Sequence, residues 1–423
     1  MIRALVLDWA SPILHYAHGF QSLQVVVMSS TRLADRTRRI APFHVMGVLA
    51  KARAMEAEGR SVISLFVGEP DFGTPQAIIE AGQQALADGH TGYTAAMGIP
   101  ALRAAIADRY QRWHGISIEP HRIAVTPGGS SALLLAFAAT IDPGKTVLLP
   151  EPGYPCNRHF LQVLNGQGIS VPLSNDGLRL DVEALEAAVT KDTTGLLLAS
   201  PCNPTGQVLS LDEWTAASNF ARRHDLTLFA DEIYHGLTFT ESLPPTALEV
   251  NDEAWVTQSF SKFYGMTGWR LGWAVVPEYA VDAAERLAQN LFLSAPAMAQ
   301  QAALTAFTPE VEKECFARAA ELKARRNTLA PAIEALGLPL LAQPDGAFYL
   351  YVDVSSVCDD AMDWCQQLLE ETGVAIAPGL DFGGATEHSA VRIAYTVSIP
   401  RLEEAVSRIG DFLARHPYLR RCQ

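Results

Sequence analysis

Basic residues are scarce in this chain. Lys and Arg total 32 against 46 Asp and Glu, a net charge of −14 over 423 residues. Phosphate backbones are held by clustered Lys and Arg, so this acid excess argues against a nucleic-acid partner. Paired cysteines are missing too. The six cysteines, at 156, 202, 315, 358, 365 and 422, include no CxxC and no Cys/His group with zinc spacing. A disulfide scaffold and a structural metal are therefore not expected, and scattered thiols suit a reducing, cytoplasmic setting. No apolar run is long enough to span a bilayer, and no repeat or low-complexity tract interrupts the chain. Two nucleotide signatures also fail. Gly144-Lys145-Thr146 has Ala139 where a P-loop needs its first glycine, and the string precedes a strand rather than a helix. No GxGxxG opens a first βα unit, so a nicotinamide domain is unsupported.

What remains is globular. Hydrophobic residues make up 49 % and charged residues 18 %, too apolar for a disordered chain and long enough for a large core. Residues 1–27 fit neither a signal peptide nor a span. They are expected to be an extension outside the folded core, with residues 28–75 an N-terminal arm contributing to a smaller domain. From residue 76 helix and strand patterns alternate. AIIEAGQQALADG (77–89), ALRAAIADRYQRW (101–113), ALLLAFAAT (132–140) and LDEWTAASNFARRH (211–224) have helical periodicity. RIAVT (122–126), TVLLP (146–150), GLLLAS (195–200), LTLFAD (226–231) and LGWAVV (271–276) are short continuous apolar runs, as in strands of a parallel sheet covered on both faces. This alternation predicts an α/β fold. Beyond about residue 305 a long helical segment, then GAFYLYVDV (346–354), a helix near 360–371, VAIAP and VRIAY predict a smaller α+β domain over 306–423, leaving 76–305 as the large domain.

The segment richest in chemistry is SFSKFYGMTGWRLG (259–272). Lys262 sits among small residues (Ser259, Ser261, Gly265, Gly268), which leave room for a bulky group to approach its amine. Arg270 suits a bidentate grip on a phosphate, and Ser259 and Ser261 can donate to the same anion. The string resembles the lysine signature of the class I/II, fold-type I aminotransferases that depend on pyridoxal phosphate. Further segments similar to that family follow over nearly the whole chain from about residue 40.

The resemblance implies a role for each match. The fold would be a large cofactor domain with a mostly parallel central sheet flanked by helices, plus the smaller domain. Lys262 would form the Schiff base with pyridoxal 5'-phosphate and move the α-proton. Asp231, at the end of an apolar strand, would pair with the pyridinium nitrogen. Tyr234 and Asn203 would donate to the phenolate oxygen. Gly128, Gly129 and Ser130 would cradle the phosphate at a helix N-terminus, with Ser259, Ser261 and Arg270. Tyr154 would stack on the ring. Tyr93 would reach the phosphate of a neighbouring subunit, making the enzyme a homodimer with shared sites. Gly68, Asn203 and Arg392 would meet the substrate, Arg392 through its α-carboxylate, which orients the bond to be broken. Tyr154, Tyr264 and Phe43 are candidates for an aromatic pocket. In relatives active on aspartate a lysine often follows the paired glycines; Ser130 stands here instead, which weakens an aspartate assignment. The implied activity is transfer of an amino group between an L-amino acid and a 2-oxo acid by a ping-pong mechanism. Two alternatives stay open: a β-lyase on the same fold, since fold alone does not decide the reaction, and, more remotely, a ligand-sensing regulator, for which residues 1–40 are too few to hold a basic DNA-binding domain.

Overall fold

A computed structural model of the chain describes residues 33–416. The expected extension at 1–27, and Cys422, lie outside the described residues. The strands are β1 (Ile63–Ser64), β2 (Ile123–Thr126), β3 (Thr146–Glu151), β4 (Gln167–Pro172), β5 (Thr193–Ala199), β6 (Thr227–Asp231), β7 (Trp255–Ser259), β8 (Gly272–Val275), β9 (Tyr349–Asp353), β10 (Val374–Ala375), β11 (Ala377–Pro378) and β12 (Ala390–Ala394). Seven form one sheet in the order β2-β8-β7-β6-β5-β3-β4. Its β3 to β7 neighbours pair in parallel, whereas β8 is antiparallel to both β2 and β7.

Helices Gly129–Thr140, Cys156–Val163, Val182–Ala188 and Leu211–Arg223 join successive strands. Leu211–Arg223 shows why such a segment folds locally. Ser210 accepts from the Glu213 amide while the Glu213 carboxylate accepts from the Ser210 amide, closing a capping box. Trp214, Ala217, Phe220 and Ala221, spaced by threes and fours, then face the core. The other periodic segments occupy Gln76–Ala87 and Pro100–His114. The GKT string lies in a turn before β3, with Lys145 paired to Asp192 at 3.1 Å.

Three strands, the two-residue β1 and, in the large sheet, β4 and β7, carry no apolar-run signal, and β8 differs in direction from its pattern. β4 is an edge strand with a largely exposed, broken apolar pattern. β7 reads WVTQS, and its polar residues are buried: Thr257 and Ser259 border the cleft, and Gln258 faces the buried Glu232. LGWAVV does form a strand buried on both faces, but β8 runs antiparallel. A near-continuous apolar run reports burial, not direction.

The second layer is β11-β12-β9, all antiparallel, packed with helices Pro309–Ala335, Ala361–Thr372 and Ile399–Arg415. β1 pairs in parallel with β10, so the chain near residue 63 is built into this layer. Among the described residues no helix is long and apolar enough to cross a membrane.

The antiparallel β8 has a direct use. Ser259, the last residue of β7, pairs with Gly272, the first of β8. The whole 259–272 string is therefore the connection between them, at the edge where β5, β6 and β7 end. There Gly272 touches backbone: a Cβ on it would sit 2.6 Å from the Gly129 nitrogen and 2.7 Å from the Gln258 oxygen. Neither atom can swing aside as a side chain would. Gly272→Ala is expected to lower the unfolding free energy by about 2–3 kcal/mol, the upper range for overpacking, as measured by chemical denaturation; a loss below about 0.5 kcal/mol would show that the turn can yield.

Candidate active site

At that sheet edge a cleft of about 540 Å³ opens between the two layers. One end is built to hold an anion. Gly128, with φ +88°, turns the chain from β2 into the helix Gly129–Thr140, a left-handed conformation that side chains resist. The helix points its free amides and positive dipole end at the cleft beside Ser130. Arg270 stands across this turn; a Cβ on Gly128 would lie 2.5 Å from its Nη2. Arg270 is itself left-handed at φ +52° and donates from Nη1 to the Thr267 carbonyl at 2.9 Å. Ser259 and Ser261 line the same end, and the Ser259 hydroxyl accepts from the Ser261 amide at 3.0 Å.

Lys262 and Asp231 occupy the middle. Asp231 ends β6 in register with Ala199 of β5 and Thr257 of β7, so it projects where the strands stop. Burial raises its carboxyl pKa to about 6, against the opposing pull of the Ile233 amide and the Lys262 charge. The Lys262 amine donates to the Gly68 carbonyl at 2.5 Å. Burial is the main cause lowering its pKa to about 8, and the charges of Arg392 and Arg270 add to it while Glu69 and Asp231 oppose. The Tyr234 hydroxyl shares a hydrogen bond of 2.9 Å with that of Tyr349, and Tyr154 lines the opposite wall.

Arg392 marks the far end. It lies on β12, the central strand of its sheet, and is 5 % exposed; it is no edge-strand surface arginine. Nη1 donates to Asn203 Oδ1 at 2.8 Å and Nη2 to the Phe66 carbonyl at 2.6 Å. Its guanidinium carbon lies 4.3 Å from the Tyr349 ring centre and 4.8 Å from that of Phe382. With its carbonyl engaged by Arg392, Asn203 has its two amide hydrogens left to donate elsewhere. Around this end Phe43, Val45, Met46, Leu49 and Phe66 make a largely apolar wall, to which the helix His44–Ala57 also contributes Arg53.

The fold thus gathers Gly68, Gly129, Ser130, Tyr154, Asn203, Asp231, Tyr234, Ser259, Ser261, Lys262, Arg270 and Arg392 around one cleft, with Gly128 directly behind it. Tyr93 is not among them: it is 85 % exposed and away from the cleft of its own chain. Of the aromatic candidates Phe43 and Tyr154 line the cleft. Tyr264 does not. It is buried in the main core against Phe260, Phe263 and Phe307. Tyr349, Asn157, Thr267 and Glu69 also line the cleft without having been singled out. Tyr349 lies inside GAFYLYVDV and opens β9; its sequence signal is only that of an aromatic residue opening a strand.

Behind Asp231 is a second, closed group of polar residues. Glu232 is fully buried, accepting from Thr246 Oγ1 at 2.8 and 3.0 Å and from the Ala247 amide at 2.8 Å. Burial raises its pKa to about 8. His235 lies 3.5 Å away and is held neutral by the same burial, and Arg109, 1 % exposed, stacks 3.7 Å above Trp113.

The model for the family "Aminotransferase class I and II" matches residues 60–409. A valine–pyruvate aminotransferase of Mycobacterium tuberculosis is 39 % identical over 88 % of this chain and 97 % of its own length. An aspartate/prephenate aminotransferase of Thermus thermophilus is 34 % identical over 90 % of this chain and 99 % of its own. Among solved structures, an aminotransferase from Mycobacterium tuberculosis superposes with a TM-score of 0.87 at 39 % identity, covering 91 % of this chain and 99 % of its own.

The environment of Glu232 sets a pH dependence. An unfolded glutamate ionises near pH 4.3, whereas the folded one keeps its proton to about pH 8. Stability from this site is therefore full below pH 4 and is lost as pH rises toward 8. Glutamine mimics the neutral acid and cannot titrate. Relative to the wild type, Glu232→Gln should gain stability by at least ~1 kcal/mol between pH 5 and pH 8, measured by urea denaturation at both; a constant difference would mean Glu232 is ionised in the fold.

Proposed function

The chain belongs to the class I and II aminotransferases, and on that premise we propose that it holds pyridoxal 5'-phosphate in the cleft and takes its amino group from an amino acid with an apolar side chain. The family is pyridoxal-phosphate-dependent, and the transfer it performs runs between an amino acid and a 2-oxo acid. The observation that carries the cofactor assignment is the sharing of one cleft by the buried amine of Lys262, the carboxylate of Asp231 and the cationic Gly128–Arg270 corner.

The residues fit the group. A phosphate ester matches the helix N-terminus, Arg270, Ser130, Ser259 and Ser261. A protonated ring nitrogen matches Asp231, and an aldehyde matches an amine made less basic by burial. When bound, the cofactor supplies that aldehyde and an electron-accepting ring. Asp231 would hold positive charge at the ring nitrogen, and Tyr234 and the free amide hydrogens of Asn203 would donate to the ring oxygen. Tyr154 would pack on the ring face. Arg392 seats the α-carboxylate, which directs the Cα–H bond toward Lys262, the base placed to remove its proton and return it. Donor and acceptor carry the same carboxylate and use the same seat, so they must take turns; this is the reason for ping-pong order.

The apolar wall, with Ser130 where an aspartate-type enzyme often has lysine, supports an apolar donor, and the named activity of the Mycobacterium tuberculosis relative, valine–pyruvate transfer, agrees with it. We assign Tyr93, exposed on its own chain, to the partner's site in a homodimer, the arrangement typical of the family. The five described cysteines are free thiols, in keeping with a reducing cytoplasm.

The test is the visible spectrum of the protein loaded with pyridoxal phosphate, titrated with single amino acids. Valine, leucine or alanine should deplete the cofactor band, and a 2-oxo acid should restore it. Depletion by aspartate or glutamate alone would overturn the apolar assignment, and release of pyruvate and ammonia without an acceptor would indicate the lyase. Lys262→Ala should abolish covalent attachment of the cofactor, read by mass spectrometry after borohydride reduction. Arg392→Lys loses a bidentate grip and should cut kcat/KM roughly 10²-fold for donor and acceptor alike; a loss confined to one of them would argue against a shared seat.

A further inference from the structure

The helix His44–Ala57 has no capping side chain of its own, since Phe43 occupies its N-cap position. Its first amides are satisfied from far along the chain. Asp381 Oδ1 accepts from the His44 amide at 2.9 Å, and Oδ2 from the Val45 amide at 2.8 Å. Both oxygens of one carboxylate thus hold a helix end that has free donors and a positive dipole. Asp381 is itself buried. It ends the turn Gly379–Asp381, which follows β11, and β11 pairs with β12 so that Ala377 lies opposite Arg392. The turn is tight against β12: a Cβ on Gly379 would lie 2.6 Å from the Ala390 carbonyl. The next residue, Phe382, packs its ring on the Arg392 guanidinium.

One short segment therefore touches both ends of the substrate's place. Phe382 lies against the arginine that seats the α-carboxylate. Asp381 fastens the helix whose first turns carry Val45, Met46 and Leu49 into the cleft. The reach from carboxylate seat to apolar wall is spanned by two adjacent residues. We propose that Asp381 is a positioning residue for substrate selection: by anchoring this helix it sets the distance between Arg392 and the apolar wall, and so the length of side chain the enzyme accepts. The proposal rests on the reading of Arg392 as the carboxylate seat, but the tether itself does not depend on it.

Two variants test it. Asp381→Asn keeps the shape but offers one acceptor in place of two and sets an NH2 group against a backbone N–H. His44→Pro leaves Asp381 untouched and removes one of the two donors. Proline is well tolerated at the first helical position, and the extended Phe43 (φ −73°, ψ 114°) suits a residue before proline. Hydrogen exchange of the amides in the first two turns of the helix should accelerate at least tenfold in Asp381→Asn; unchanged exchange overturns the tether. On the pyridoxal-phosphate-loaded enzyme, KM for leucine should rise about tenfold in both variants with kcat near the wild-type value, while kcat/KM for alanine, too short to reach the wall, changes less than twofold. Equal losses for leucine and alanine, or none for either, overturn the role in selection. A wild-type enzyme that transaminates neither leucine nor alanine defeats the proposed apolar donor, and with it the role in selection, while the exchange result still decides the tether.

Discussion

Withdrawal of Lys262 from water is the constraint on which the rest of the site depends. A free lysine amine is protonated far above neutrality, and burial among cations makes it less basic. The same burial raises the Asp231 carboxyl. Neither residue could be buried cheaply alone. Their charges act on each other across the cleft because β6 and β7 are neighbours in a parallel sheet and end together, so Asp231 and the segment just past Ser259 border one space. The reversal into β8 then returns the chain against the Gly128 turn, bringing Arg270 to the anion end within the same fourteen-residue connection.

Arg392 provides the second organising contact. Its donors reach Asn203, which follows β5 of the large sheet, and Phe66, just beyond β1. Its faces are covered by Tyr349 of β9 and by Phe382. Segments from residue 66 to residue 392 thus meet on one guanidinium. Such a group is costly to bury; Nη1 and Nη2 donate to Asn203 and Phe66, while the buried Nε has no partner among the described residues, which leaves the guanidinium suited to a further acceptor. The site is prepared for an anion by contacts that hold the two layers together.

The layer behind Asp231 is as closed as the cleft is open. Glu232 points away from the cleft, because successive residues at a strand end face opposite sides. It fastens Thr246 and Ala247 to the turn that carries Asp231 and Tyr234. The Asp-Glu-Ile-Tyr stretch thus serves chemistry with one face and anchoring with the other.

Much was legible from residue order because it is local. Buried strands announce themselves by continuous apolar runs, Leu211–Arg223 by its capping box and spacing, and the cofactor string by a lysine, small residues and an arginine close together. Lys262, Asp231 and Asn203 could be found because each sits at or just beyond a strand end that the pattern itself marks. Other features had no local signature. β7 is polar because its surroundings are functional, and the direction of β8 is set by its neighbours. Tyr264 belongs to the core and Tyr349 to the cleft, although both look alike as aromatics in a motif. Asp381 caps a helix that begins more than 330 residues earlier. The sequence by itself determined most of the elements, the family and the chemical groups, since propensity, periodicity and motif spacing act over a few residues. Only the tertiary structure decided which carbonyl receives the Lys262 amine, which rings cover Arg392 and which carboxylate holds the helix that lines the cleft wall, because those contacts form between segments that meet only when the two layers close over the cleft.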